Sequence, residues 1–451
     1  MSLYDLLIHD GILVTSNGAK YADLAISDGK LVAISPQLTG SASEEIDATG
    51  LHIFPGVIDA HVHFNEPGRT NWEGFATGSR ALAAGGTTTF CDMPLNASPP
   101  TLDAASFALK REASEAASLV DFALWGGLVP SNIEQLDELA ECGAIGFKAF
   151  MSNSGIDDFD AVDDDTLQRG MERAARLGKL VAVHAEDDHL TTKLAREAIK
   201  KGQTSVRDYL QARPVSAELD AIQRAIGIAE ATGCSLHIVH ISCGAGISLV
   251  AEARARNVDV SCETCPHYLV LTEEDMERMG AVAKCSPPLR IKAEQEMLWE
   301  HLRMGHIQTI GSDHSPSPTT MKIAQSFFQV WGGISGCQSL LSLLLTKGHH
   351  ERNLPLSLLT TLTAEAVARR FQLPGKGKLV IGADADLALV DLQAQTILHT
   401  EDLHYRHQQS PYIGMSMRGQ ITQTLLRGRT VYKQGQCSTQ AHGQLLTPQR
   451  R

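Results

Sequence analysis

The chain has 451 residues, 39 of them basic and 52 acidic, for a net charge of −13, and that length exceeds what one minimal domain needs to bury a core. With no run of Lys or Arg to track phosphates, the charge argues against a nucleic-acid partner. The opening "MSLYDLLIHDGILV" lacks a basic and then apolar leader, and "SLLSLLLTKG" is too short to span a bilayer, so a cytoplasmic protein with no membrane partner is expected. Nine cysteines, an odd count at irregular spacings, suit free thiols in a reducing compartment, and the lone C-x-x-C at Cys262 and Cys265 lacks the second pair of a zinc ribbon.

In chain order, "LLIHDGILV" and "LAISDGKLVAI" are β-rich runs carrying turn signals at Asp10-Gly11 and Asp28-Gly29. The same texture returns in "GADADLALVDL" and "TLLRGRTVYKQG", so residues 1–53 and 375–451 are expected to form one small β-sandwich domain from both ends. Between them, over 54–374, apolar strand-like runs alternate with helical patterns. The runs are 58–63, 87–93, 121–128, 144–150, 180–186, 235–241, 258–265 and 307–313, with helices at 164–177 and 216–232 among the connections. Eight such units predict a (β/α)8 barrel, an α/β fold.

Active sites in this architecture sit at the C-terminal ends of the strands. There the chain places His61 and His63, Lys148, His184, His240 and Asp313. His61 and His63 are two apart on a strand, share a side, and can chelate one borderline metal such as zinc; standing alone they could equally be hydrogen-bonded core histidines. His237 and His240 are three apart, so only one is expected to line the barrel; His240 is chosen and His237 assigned to packing between strand and helix. His184 is either a satisfied core histidine or a ligand, and its place at the strand end favours the ligand. Lys148 in "AIGFKAFM" is either snorkelling or a buried amine of lowered pKa that adds carbon dioxide and bridges two metals as a carbamate. Asp313 in "GSDHSP" either caps a turn or touches a metal and handles a proton. His267, His314, His349 and His350 receive no metal role.

With "PGVIDAHVHFNEPG", "GFKAF", "VHAED", "HIVHIS", "CSPPLR" and "SDHSP" in order along nearly the whole chain, the sequence resembles the cyclic amidohydrolases of the amidohydrolase superfamily. The resemblance implies a binuclear zinc site: His61, His63 and Asp313 on one ion, His184 and His240 on the other, with N6-carboxylated Lys148, formed from carbon dioxide or bicarbonate, as the bridge. It also implies a homotetramer acting on a small cyclic amide. The ions would polarise the ring carbonyl and lower the pKa of bound water to about 7. Donors near Ser286 would hold the oxyanion, and Asp313 would carry the proton to the leaving nitrogen.

Which ring is opened turns on departures between branches of the family. Dihydroorotases typically carry Arg where this chain has Asn65, and a His where it has Ser317, so two partners for a substrate carboxylate are missing, with Arg69 close by in sequence. Hydantoinases typically carry Tyr where it has Asn153, and lack "NEPG". The chain is most similar to allantoinases, whose substrate is a hydantoin with a neutral ureido arm that Asn65 and Asn96 could satisfy; either could instead be a turn residue. A hydantoinase or dihydropyrimidinase of broader specificity is the alternative, then a dihydroorotase or a non-catalytic scaffold of the same fold.

Overall fold

The computed structural model describes residues 3–448. Its parallel strands are β1 (Val57–Val62), β2 (Thr87–Asp92), β3 (Asp121–Leu124, resuming after Trp125 as Gly126–Gly127), β4 (Gly146–Phe150), β5 (Leu180–His184), β6 (Leu236–Ile238), β7 (Val260–Thr264) and β8 (Thr309–Ile310). Every residue in them is buried, as parallel strands covered on both faces must be, which is why they read as unbroken apolar runs. Three strands pair in the order β1-β2-β3 and six in the order β3 to β8; the interrupted third strand belongs to both runs, leaving eight. The ring closes where Val62 pairs in parallel with His314 and the His63 amide donates to the His314 carbonyl at 2.8 Å. A (β/α)8 barrel results, with the expected helices at Asp164–Arg176 and Val215–Thr232. The first of these begins at Asp163, whose side chain accepts from the Thr166 amide at 2.8 Å.

The break in β3 has a visible cause. Phe122 pairs with Leu445, donating to the Gln444 carbonyl at 3.0 Å and accepting from Leu446 at 2.7 Å. Residues 444–446 thus take the edge that the first half of β3 would otherwise offer β4, and pairing with β4 begins only at Gly126.

Both chain ends build a separate nine-stranded sheet, in which His52–Pro55 lies between Leu387–Ile397 and Tyr4–Thr15. Leu6, Ile8, Leu24, Leu387, Leu389 and Leu425 form its core. Asp28-Gly29 makes the expected tight turn, with φ of 51° and 74°. Asp10-Gly11 does not turn; it is a bulge inside Tyr4–Thr15, its Asp10 amide donating to Asp23 Oδ1 at 2.9 Å. Gly11 leaves room there for the Ile53 side chain, whose Cδ1 would lie 2.3 Å from a Cβ.

Sheet and barrel are joined by a buried ion cluster. Lys376 Nζ lies 2.6 Å from Asp121 at the start of β3, 2.8 Å from Asp384 and 2.7 Å from Asp386, and Arg427 also pairs with Asp121. A second link comes from residues 405–410, which pack behind the loop after β8. Arg406 N donates to Glu73 Oε1 at 3.0 Å, Gln409 to the Ser317 carbonyl at 2.7 Å and Ser410 to the Ser335 carbonyl at 2.8 Å. Among the described residues no helix is long and apolar enough to cross a membrane.

Candidate metal centre and active site

Every candidate ligand proposed from sequence lies at the C-terminal mouth of the barrel or just below it. His61 Nε2 and His63 Nε2 stand 3.1 and 3.5 Å from Asp313 Oδ1, and the three ligand atoms fall within 4.8 Å of one another. His184 Nδ1 and His240 Nε2 are 3.0 Å apart. Two nitrogens on one tetrahedral zinc are separated by about 3.3 Å, given Zn–N bonds of about 2.0–2.1 Å. Burial lowers the pKa of His63, His184 and His240, favouring the neutral imidazoles that ligate metals. Burial pushes the Asp313 carboxyl up, whereas positive charge among His61, His63 and His240 draws it below the usual carboxylate range.

Lys148 lies under the floor, inaccessible to solvent, and its Nζ has no hydrogen-bond partner. Desolvation brings its pKa down to about 7, so a neutral amine is available near neutral pH. A buried, unpartnered nitrogen beside convergent imidazoles and a carboxylate is a donor set that fits divalent cations.

Two carboxylates not singled out from the sequence orient these ligands. Glu263 on β7, fully buried, accepts from His61 Nδ1 at 2.8 Å; burial opposes its charge, yet His61 and His237 bring it down to about 2. Gly311 makes room for it, since a Cβ there would come 2.5 Å from Glu263 Oε2. Glu186 sits two residues past His184 and accepts from its Nε2 at 2.8 Å. Burial opposes its charge too, but Arg213 and His184 bring it down to about 2. Each carboxylate accepts a hydrogen bond from one ring N–H and so leaves the lone pair of the other nitrogen facing the site. For Glu186 the available signal was its place two residues past a strand histidine, in "HAED"; Glu263 had none.

His237 corrects the expectation from strand alternation. Its Nδ1 meets Ser261 Oγ at 2.8 Å and its Nε2 lies 4.0 Å from Glu263 Oε2, so it faces the same interior as the site, one layer lower. Alternation fails because β6 ends at Ile238 and His240 adopts a φ of +41°, which turns its side chain back inward. His314 Nδ1 accepts from Gly336, and its ring packs on Tyr405 with centroids 4.9 Å apart. His267 is fully buried with neither ring nitrogen bonded. All nine cysteines, Cys262 and Cys265 included, are free thiols.

Above the ligands opens a cavity of about 580 Å³. Asn96, Asn153 and Ser286 line it. Asn96 Nδ2 reaches Ser315 Oγ at 3.5 Å, and Ser286 Oγ shares a 2.6 Å hydrogen bond with Tyr209. Asn65 is fully buried at a φ of +64°, its amide 3.4 Å from the Pro316 carbonyl, and is not part of the lining. Ser317 is likewise fully buried. Arg69 is spent elsewhere, donating to the Asn96 and Ala97 carbonyls at 3.1 Å and pairing with Asp158 at 3.0 Å.

Imidazoles and an aspartate converging on the strand ends of a (β/α)8 barrel, under a cavity lined by polar and apolar groups alike, define a metal-dependent hydrolase. The chain belongs to the amidohydrolase family, whose sequence profile it matches over residues 52–431. It is 56% identical to an allantoinase of Rubrobacter xylanophilus over 100% of this chain and 99% of that protein, and 52% identical to one of Deinococcus radiodurans over 99% of each. Among solved structures, the L-hydantoinase (dihydropyrimidinase) of Arthrobacter aurescens superimposes with a TM-score of 0.96 at 35% identity, covering 99% of this chain and 100% of that one.

Proposed function

We propose that this protein hydrolyses the hydantoin ring of allantoin to give allantoate with two divalent ions, zinc in kind, that N6-carboxylated Lys148 would help to hold. The observation that carries the substrate is the identity of 56% to an allantoinase along the full chain. The tying up of Arg69 supports it by removing the guanidinium nearest Asn65 in sequence as a partner for a dihydroorotate carboxylate. His61, His63 and Asp313 would hold one ion, and His184 and His240 the other. When bound, such ions polarise the ring carbonyl and make hydroxide available near neutral pH. Asp313, ionised and beside His61 and His63, is the group to accept the proton of the attacking water and pass it to the ring nitrogen. Asn96 and the Ser286 region supply neutral donors on the cavity wall. In this reading the enzyme is cytoplasmic and homotetrameric.

Ring-opening turnover of allantoin, hydantoin, dihydrouracil and dihydroorotate by purified protein given divalent metal and bicarbonate is the test. Allantoin is expected to have the highest kcat/KM. Preference for hydantoin or dihydrouracil would instead favour a broader hydantoinase, the reading that the TM-score of 0.96 to an L-hydantoinase supports. No turnover by metal-loaded protein would sink both.

A further inference from the structure

Only part of one cation on the cavity wall is accounted for by the chemistry above. Arg213 lines the cavity with its side chain 19% exposed. One terminal nitrogen, Nη1, pairs with Glu186 Oε2. Its carbonyl is fixed by Arg290 Nη1 at 2.5 Å, and its guanidinium stands 5.7 Å from the centre of the Tyr209 ring, so the side chain is braced from both ends. Nε and Nη2 make no hydrogen bond among the described residues. Lys284, the neighbouring cation on the same wall, has no such surplus, because its ammonium group reaches the Phe327, Phe328 and Val330 carbonyls at 2.6, 3.4 and 2.5 Å.

Asp188 also lines the cavity, near enough for its charge to help raise the pKa of Arg213. Its Oδ1 accepts from the Asn153 amide at 2.9 Å and from Thr192 Oγ1 at 3.4 Å, while Oδ2 takes no hydrogen bond. A rigid donor fork and a carboxylate oxygen on one wall match a group that has a carbonyl oxygen at one place and N–H groups at another. A carboxylate would be drawn to Arg213 but repelled by Asp188. A neutral urea satisfies both.

We propose that Arg213 and Asp188 form the specificity subsite for a neutral urea group carried by the substrate ring, Arg213 donating to the urea oxygen and Asp188 accepting from its nitrogens. This rests on the allantoin reading and names the residues that would recognise the ureido arm.

The experiment compares allantoin with hydantoin, which has the same ring and no arm, in wild-type protein, Arg213→Lys and Asp188→Asn. Lysine retains a cation for Glu186 and loses the fork. The loss of kcat/KM on allantoin should exceed that on hydantoin by about 10- to 100-fold for Arg213→Lys, and less for Asp188→Asn. Where hydantoin turnover is too slow to follow, its inhibition constant against allantoin replaces it, and the KM for allantoin should rise relative to that constant. Equal losses on both ligands, with a parallel fall in bound metal, would overturn the proposal and reduce Arg213 to a brace for Glu186 and His184. Failure of the allantoin reading shows separately, as wild-type preference for another ring.

Discussion

At the scale of single residues, the centre separates groups that act on substrate from groups that aim the ligands. In the proposed reading Asp313 carries the first role, so Asp313→Asn should retain much of the bound metal while turnover falls about 10²- to 10⁴-fold. Glu263 carries the second. With its carboxylate 2.8 Å from His61 Nδ1, Glu263→Gln should weaken metal binding about 10- to 100-fold. Metal content after dialysis against graded chelator, read beside kcat, distinguishes the two: a Glu263→Gln protein that keeps its metal but loses turnover would contradict the orienting role. The candidate ligands were legible because His61, His63, His184 and His240 recur at strand ends in runs otherwise apolar. Of their carboxylate partners, Glu186 had only its nearness to His184 to mark it, and Glu263 in "CETC" had nothing, since only the closing of the barrel brings Glu263 on β7 against His61 on β1.

Among elements, the eight strands were readable as apolar runs, whereas their ends were not. The side chain of His240 depends on where β6 stops, and a left-handed residue after Ile238 reversed the inference from spacing. Likewise, a single Asp-Gly signal produced a turn at residue 28 and a bulge at residue 10, since the outcome depends on what the neighbouring strand offers. The segment over the cavity was invisible to pattern altogether. Residues 319–333 hold little regular structure and are moored by buried ammonium groups: Lys322 Nζ reaches the Ala281, Trp331 and Gly333 carbonyls at 3.2, 3.0 and 2.7 Å. Lys322→Met removes those bonds to charge, and amide exchange in this segment should quicken about 10- to 100-fold while the barrel strands keep their protection. Unchanged exchange would mean that the apolar contacts of Phe327 and Phe328 hold the segment without the lysine.

For the whole molecule, the decisive joint is Lys376 among three aspartates. Burial disfavours its charge, but Asp386, Asp121 and Asp384 outweigh this and raise its pKa above the ordinary 10.5. A raised lysine stabilises fully below 10.5, and that contribution is lost only as pH climbs through the raised value. Lys376→Met leaves buried carboxylates facing one another and should cost about 3–5 kcal/mol in urea unfolding at neutral pH. The deficit should shrink on acidification as the aspartates take up protons. A deficit independent of pH would point to lost packing instead.

The brace behind the Asp313 loop sets an order of events in synthesis. Arg406 and Glu73 stand 333 positions apart, which a ribosome covers in roughly twenty seconds to a minute. Until residues 405–410 and 444–446 emerge, the turn bearing Asp313 lacks its backing and β3 has a bare edge. The nascent barrel must therefore wait, nearly whole and still without a working centre, for its last tenth to be translated.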